Sequence, residues 1–81
     1  MKINVKLFAV AKQLAGCDEL SIDLPEPATV GQLRQALVAQ VPELASVAGQ
    51  LQFAIDAEYA SNATPIPPTA DVACIPPVSG G

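Results

Sequence analysis

Histidine is absent from the 81 residues, and the only two cysteines, Cys17 and Cys74, stand far apart without a CxxC pair. Without an imidazole there is no Cys-His couple and no mixed Cys/His zinc set, so metal and thiol chemistry are poor candidates. The two cysteines read as reduced thiols that pack like small apolar residues. Basic residues are scarce as well: four Lys and Arg stand against eight Asp and Glu, for a net charge of -4. That balance opposes phosphate backbones and leaves no basic stripe, which excludes nucleic acid as the partner. Long apolar runs are missing too. Lys2, Asn4 and Lys6 interrupt MKINVKLFAV, so neither a signal-peptide core nor a membrane span can be drawn. The chain is expected in the cytoplasm, with no membrane partner.

What is present is enough apolar residue to fold once. Hydrophobic residues make up 51% of the chain and charged residues 15%. That composition argues against disorder, and the length argues for one domain near the size where a single core just suffices. Ile3, Val5 and Leu7 alternate with polar neighbours and predict a strand over about residues 2 to 8. AVAKQLAG is rich in helix formers and closes on Gly16, which suits a short helix with a left-handed cap. Leu20, Ile22 and Leu24 alternate in a second strand that stops at Pro25-Glu26-Pro27, and the two strands can pair antiparallel.

Thr29 reads as an N-cap. Val30, Leu33, Leu37, Val38 and Val41 then recur at helical spacing up to Pro42, leaving Gln32, Arg34, Gln35 and Gln40 for water. PELASVAG adds a short helical turn. Leu51, Phe53 and Ile55 alternate again, and Asp56-Ala57-Glu58 turns into a brief strand around Tyr59 to Ser61. SNATPIPPTA is a proline-bearing loop without regular structure, and DVACI resumes an apolar strand. The order ββαβββ, with a small helix between the first two strands, is an α+β two-layer roll. It matches the β-grasp (ubiquitin-like) layout, a mixed four- or five-stranded sheet packed on one main helix with a short extra helix. Residues 1–75 form the domain and 76–81 a flexible tail.

The tail reads Pro76-Pro77-Val78-Ser79-Gly80-Gly81 and leaves directly from the last strand. Two prolines favour a stiff exit at ~3.1 Å per residue, so the arm reaches roughly 19 Å from the sheet. Gly80 and Gly81 remove every side chain from the tip, which lets it thread and bend inside a narrow channel. What enters that channel is the Gly81 carboxylate, ionised at neutral pH and therefore a poor electrophile until it is activated. Activation as an acyl adenylate would let a sulfur nucleophile displace the adenylate and leave a thiocarboxylate. The plain alternative is a frayed terminus.

The opening strand into LFAVAKQLAG, the TVGQLRQAL helix start, the LQFAID strand and the ending DVACIPPVSGG resemble the small, sulfur-carrier subunits of molybdopterin synthase over essentially the whole length, PPVSGG most specifically. The resemblance implies a β-grasp fold and a C-terminus adenylated by a ubiquitin-activating-like adenylyltransferase that consumes ATP, the carrier itself binding no cofactor. It further implies conversion of Gly81 to a thiocarboxylate and insertion of the tail into the large synthase subunit. There the sulfur goes to the molybdopterin dithiolene. By position, Gly81 carries the sulfur and Gly80 provides the narrow approach. Phe8, Ile75, Pro76, Pro77, Val78 and Ser79 match apolar or tail contacts with the partner, with Phe8 as core packing left open. The chain departs from the family at Cys74-Ile75, where aromatic residues are frequent, at Asp56, where Asn is common, and in PPTADVA, which replaces a GDEVA turn.

Other readings share the fold. A thiazole-forming carrier of thiamin synthesis has the same tail chemistry, a ubiquitin-like modifier ends in an isopeptide bond to lysine, and a plain binding module leaves its end inert. None makes the chain a complete enzyme, since it offers no acid-base pair, no activated nucleophile and no cofactor motif. The expected role is that of a subunit and co-substrate.

Overall fold

A computed structural model describes residues 1–76 of the chain. The elements run β1 (Lys2–Leu7), α1 (Ala9–Ala15), β2 (Glu19–Asp23), α2 (Val30–Gln40), a 3-10 helix (Pro42–Gln50), β3 (Gln52–Ile55), β4 (Glu58–Ala60) and β5 (Val72–Ile75). The period-two pattern of β1 is realised in full: Ile3, Val5 and Leu7 are buried and Lys2, Asn4 and Lys6 are exposed. One five-stranded sheet results, in the order β2-β1-β5-β3-β4. β1 and β5 pair in parallel at its centre, through Val5↔Val72, Lys6↔Ala73 and Leu7↔Cys74. The other three pairings are antiparallel, so the sheet is mixed, as expected.

Helix α2 covers the inner face of this sheet with Val30, Leu33 and Leu37, all without exposed surface, against Val5, Leu7, Phe53 and Cys74 of the core. Each such large side chain contributes about 1.5–3 kcal/mol on burial. The start of α2 is fixed by its free amides. Gln32 N–H donates to Thr29 Oγ1 (3.4 Å) and Thr29 N–H to Gln32 Oε1 (2.8 Å), a reciprocal cap. The preceding donors, Val30 and Gly31, reach Thr64 O (3.0 Å) and Asn62 O (2.9 Å) in the loop before β5. Gly31 permits that approach, because a Cβ there would come 3.3 Å from Asn62 O. The helix ends where Val41, held out of the helical region by the following Pro42, adopts φ -125 and ψ 83.

Four details differ from the sequence reading. The first strand stops at Leu7, although Phe8 N–H still bonds Cys74 O (3.3 Å). PELASVAGQ is a nine-residue 3-10 helix, longer than a single turn, with Leu44 buried. The proline-bearing loop carries one isolated bridge, Thr29↔Pro65, and buries Ile66, whose N–H bonds Ala28 O (2.9 Å). Arg34 is not left to water. Its Nη1 donates to Ala48 O and Leu51 O (2.6 Å each), and Nε and Nη2 to Asn62 Oδ1 (3.2 and 3.1 Å), with the guanidinium 5.1 Å from the Phe53 ring centroid.

Among the described residues, three other than glycine have positive φ: Ala9 (52°), Asp56 (50°) and Ala57 (72°). The latter two form the β3–β4 turn, where positive angles at both central positions match the twist of the strands. Gly16, at φ 76°, caps α1 as its sequence position implies. Ala9 stands at the junction of β1 and α1, where a left-handed alanine costs about 1–2 kcal/mol.

Candidate functional site

β5 is the strand that leads into the tail, and its position determines what surrounds the exit. It lies between β1 and β3, with its inner residues Val72 and Cys74 buried and its outer residues Ala73 and Ile75 half-buried. Pro76, the last described residue, is buried. Pro77, Val78, Ser79, Gly80 and Gly81 lie outside the described residues.

The outer face of the sheet is the surface next to the exit. Register places Lys6, Ala73, Ala54 and Tyr59 in one row across β1, β5, β3 and β4. In the next row toward the exit Ile75 pairs with Gln52. Continuing the β1–β5 register by one residue sets Phe8 beside Ile75, consistent with the bond from Phe8 N–H to Cys74 O. Phe8 is 47% exposed and Tyr59 70%, while Ala54 between them retains only 6%. The structure thus resolves the alternative left open for Phe8: it is a surface residue, not core.

Phe8 and Ile75 lie side by side where β5 ends, and Pro76 follows Ile75 in the chain. Sequence places Tyr59 only on a short strand, yet among the described residues it is the most exposed of the large apolar side chains. An aromatic residue on a three-residue edge strand, where burial has no use for it, was the available signal.

Beside Phe8 an open groove of about 430 Å³ is lined by Lys6, Leu7, Phe8, Ala9, Lys12, Asp18 and Glu19. Its charges are of both signs. Among the described residues no group of three His, Cys, Asp or Glu is placed to hold a metal ion, and no helix is long and apolar enough to cross a membrane. Both cysteines are free, Cys17 half-buried and Cys74 buried. Burial pushes the Cys74 thiol from 9.0 up to about 11, against a smaller downward pull from the Arg34 guanidinium. A thiol so high is almost entirely protonated at neutral pH and is a poor nucleophile. What the described residues present where β5 ends is a mixed face, with Phe8, Ile75 and Tyr59 set among Lys6 and Gln52.

The mixed sheet around a central parallel pair, its inner face filled by α2 and its last strand running into the tail, defines a β-grasp domain of the ubiquitin-like class. The chain belongs to the ThiS family, which it matches over residues 5–81. It is similar to the molybdopterin synthase sulfur carrier subunit of Arabidopsis thaliana, at 32% identity over 81 residues covering 100% of this chain and 84% of that one. The Caenorhabditis elegans protein of the same description is also 32% identical, covering 100% of this chain and 99% of its own. Among solved structures, the archaeal SAMP1 from Haloferax volcanii superposes with a TM-score of 0.87 at 29% identity, covering 100% of both chains.

Proposed function

We propose that this chain is the sulfur-carrier subunit of a cytoplasmic molybdopterin synthase, working through the carboxylate of Gly81. In this reading the carboxylate attacks the α-phosphorus of ATP held by a ubiquitin-activating-like adenylyltransferase, and pyrophosphate leaves. A sulfur nucleophile then displaces AMP from the acyl carbon, giving the thiocarboxylate. The large synthase subunit receives the tail, the thiocarboxylate sulfur bonds to the pterin precursor, and water cleaves the acyl carbon–sulfur bond, leaving the sulfur for the dithiolene of molybdopterin and returning Gly81 to the carboxylate. The carrier supplies the reacting atom and the docking surface, while the partners supply ATP and catalytic groups.

The observation that carries the reading is the exit of a central strand, through Ile75 and Pro76, beside an exposed Phe8. A charged tip alone supplies little desolvated area, so an apolar platform at its base is what a partner needs for affinity. Family membership and the two relatives support the sulfur-carrier assignment. Intact mass spectrometry of the protein from cells with the pathway active tests it. One oxygen replaced by sulfur at the terminus is expected, and a terminus that stays a plain carboxylate under those conditions would count against it.

The likeness to SAMP1 favours one second reading, a protein modifier joined through Gly81 to lysine amines. Isopeptide remnants of Gly80-Gly81 on other proteins, in place of a thiocarboxylate, would establish that reading.

The surface position of Phe8 also separates binding from stability. Phe8→Ala is expected to weaken binding of the large subunit about tenfold or more, the loss of a partly buried aromatic anchor. Its melting temperature should fall by only a few degrees, since half of the side chain is exposed. Titration calorimetry and a thermal melt on the same preparation check both, and native affinity in the alanine variant would remove Phe8 from the interface.

A further inference from the structure

β1 passes into α1 without a linker: Leu7 is the last strand residue, Ala9 the first helical one, and Phe8 stands alone between them. Phe8 is extended, at φ -126 and ψ 155, and its backbone is held on both sides. Its N–H donates to Cys74 O (3.3 Å), while its carbonyl accepts from Ala11 N–H (3.1 Å) and Lys12 N–H (3.4 Å). Ala11 in turn is buried in the core. The whole change of direction from strand to helix therefore falls at Ala9, whose φ is 52°. Gly16, at the other end of the same helix, takes a left-handed angle with the residue suited to it; Ala9 takes one with a Cβ. Such a conformation persists only where the surroundings over-determine it, and here those surroundings are the strand that leads to the tail and the first turn of α1.

We propose that Ala9 is a positioning residue for partner docking: its left-handed backbone lets α1 begin at once while Phe8 stays in the sheet register, facing outward beside Ile75 at the tail exit. The inference rests on the sulfur-carrier reading and adds to it a specific joint. A longer connection would let Phe8 swing away from the exit. A helix starting with ordinary angles would carry Phe8 out of the β1–β5 register and break the bond to Cys74 O. A single Cβ meets the angle at modest cost, whereas a β-branched residue is strongly disfavoured there.

The test compares the native chain, Ala9→Val, Ala9→Gly, Phe8→Ala and the Phe8→Ala/Ala9→Val double variant in titrations with the large synthase subunit. Ala9→Val is expected to bind about tenfold more weakly than native, whereas Ala9→Gly, which accepts the angle freely, stays within about threefold. Because Ala9 acts through Phe8, valine should add no more than a factor of about two in the Phe8→Ala background. A merely structural role would instead give the same loss in both backgrounds. Native-like binding by Ala9→Val, or full additivity, overturns the proposal. Hydrogen exchange on the native chain keeps the idea falsifiable even if the valine variant fails to fold. The Phe8 amide should be protected like those inside β1, and rapid exchange there would mean that the joint is not held. If Ala9→Val binds natively while Phe8→Ala does not, the joint alone fails. If the native chain does not bind the large subunit, the functional reading and the joint fail together.

Discussion

A single alanine appended after Gly81 should abolish adenylation while leaving the fold untouched. The extension moves the terminal carboxylate ~3.5 Å along the chain and turns the Gly81 carboxylate into an unreactive amide. Misplacing a reacting atom by even ~1 Å can cost roughly a hundredfold in rate, so the loss should be at least that large. Stability should stay within about 0.5 kcal/mol, because the addition changes none of the buried core residues. ATP-pyrophosphate exchange with the cognate activating enzyme gives the rate, after equal melting temperatures and an untrimmed C-terminus are confirmed. Undiminished exchange by the extended chain would mean that Gly81 is not the functional group, and the carrier reading would have to be abandoned.

Arg34→Met should be strongly destabilising. The side chain joins three parts of the molecule: α2, from which it projects, the 3-10 helix and its end through Ala48 O and Leu51 O, and the loop before β5 through Asn62. Methionine keeps much of the apolar stem but leaves two part-buried carbonyls and the Asn62 amide oxygen without a donor. With each lost charge-assisted bond worth about 1.5–3 kcal/mol, and some relief from entering water, a net loss of roughly 3 kcal/mol is expected. For a domain of this size that lowers the melting temperature by about 12–24 °C. Total stability of a chain this short is about 4–12 kcal/mol, so the variant would lie close to unfolding. Arg34→Lys should recover less than half of the loss, since one ammonium cannot span two carbonyls and an amide together. Thermal melts of the two variants decide the matter: a methionine variant within 1 kcal/mol of native would show these bonds to be exchangeable with water.

Arg34 also shows where the sequence stops being informative. Its place on the polar side of the α2 helical pattern predicts exposure, and only the return of the chain at Ala48, Leu51 and Asn62 supplies the oxygens that hold it. Local rules served well where the cause is local. The alternation of Ile3, Val5 and Leu7, the Thr29 cap, the stop before Pro42 and the Gly16 terminus each follow from residues within a turn or two. The 3-10 helix was legible as helical from the spacing of Leu44, Val47 and Ala48, but its full extent to Gln50 was not, since the tighter 3-10 winding leaves no local signal. At the site, Phe8 illustrates the limit best: its spacing fits core or surface equally, and only the parallel pairing of β1 with β5, two segments at opposite ends of the chain, turns it outward beside Ile75. Tyr59 was legible as a strand residue but not as part of a face, since beyond its hairpin partner Ala54 the row runs through Ala73 to Lys6 at the other end of the chain.

The central place of β5 gives the chain end a mechanical property. A pull on the tail, such as withdrawal from a tight channel, runs along the β5 axis and is resisted on both flanks at once, by the parallel ladder to β1 and the antiparallel ladder to β3. The hydrogen bonds of both ladders lie across the direction of the pull, so they are loaded in shear and must yield together, whereas an edge strand can be peeled away bond by bond. On the carrier reading, the domain holds β5 from both sides against such a pull, so the strand is not unravelled from its end.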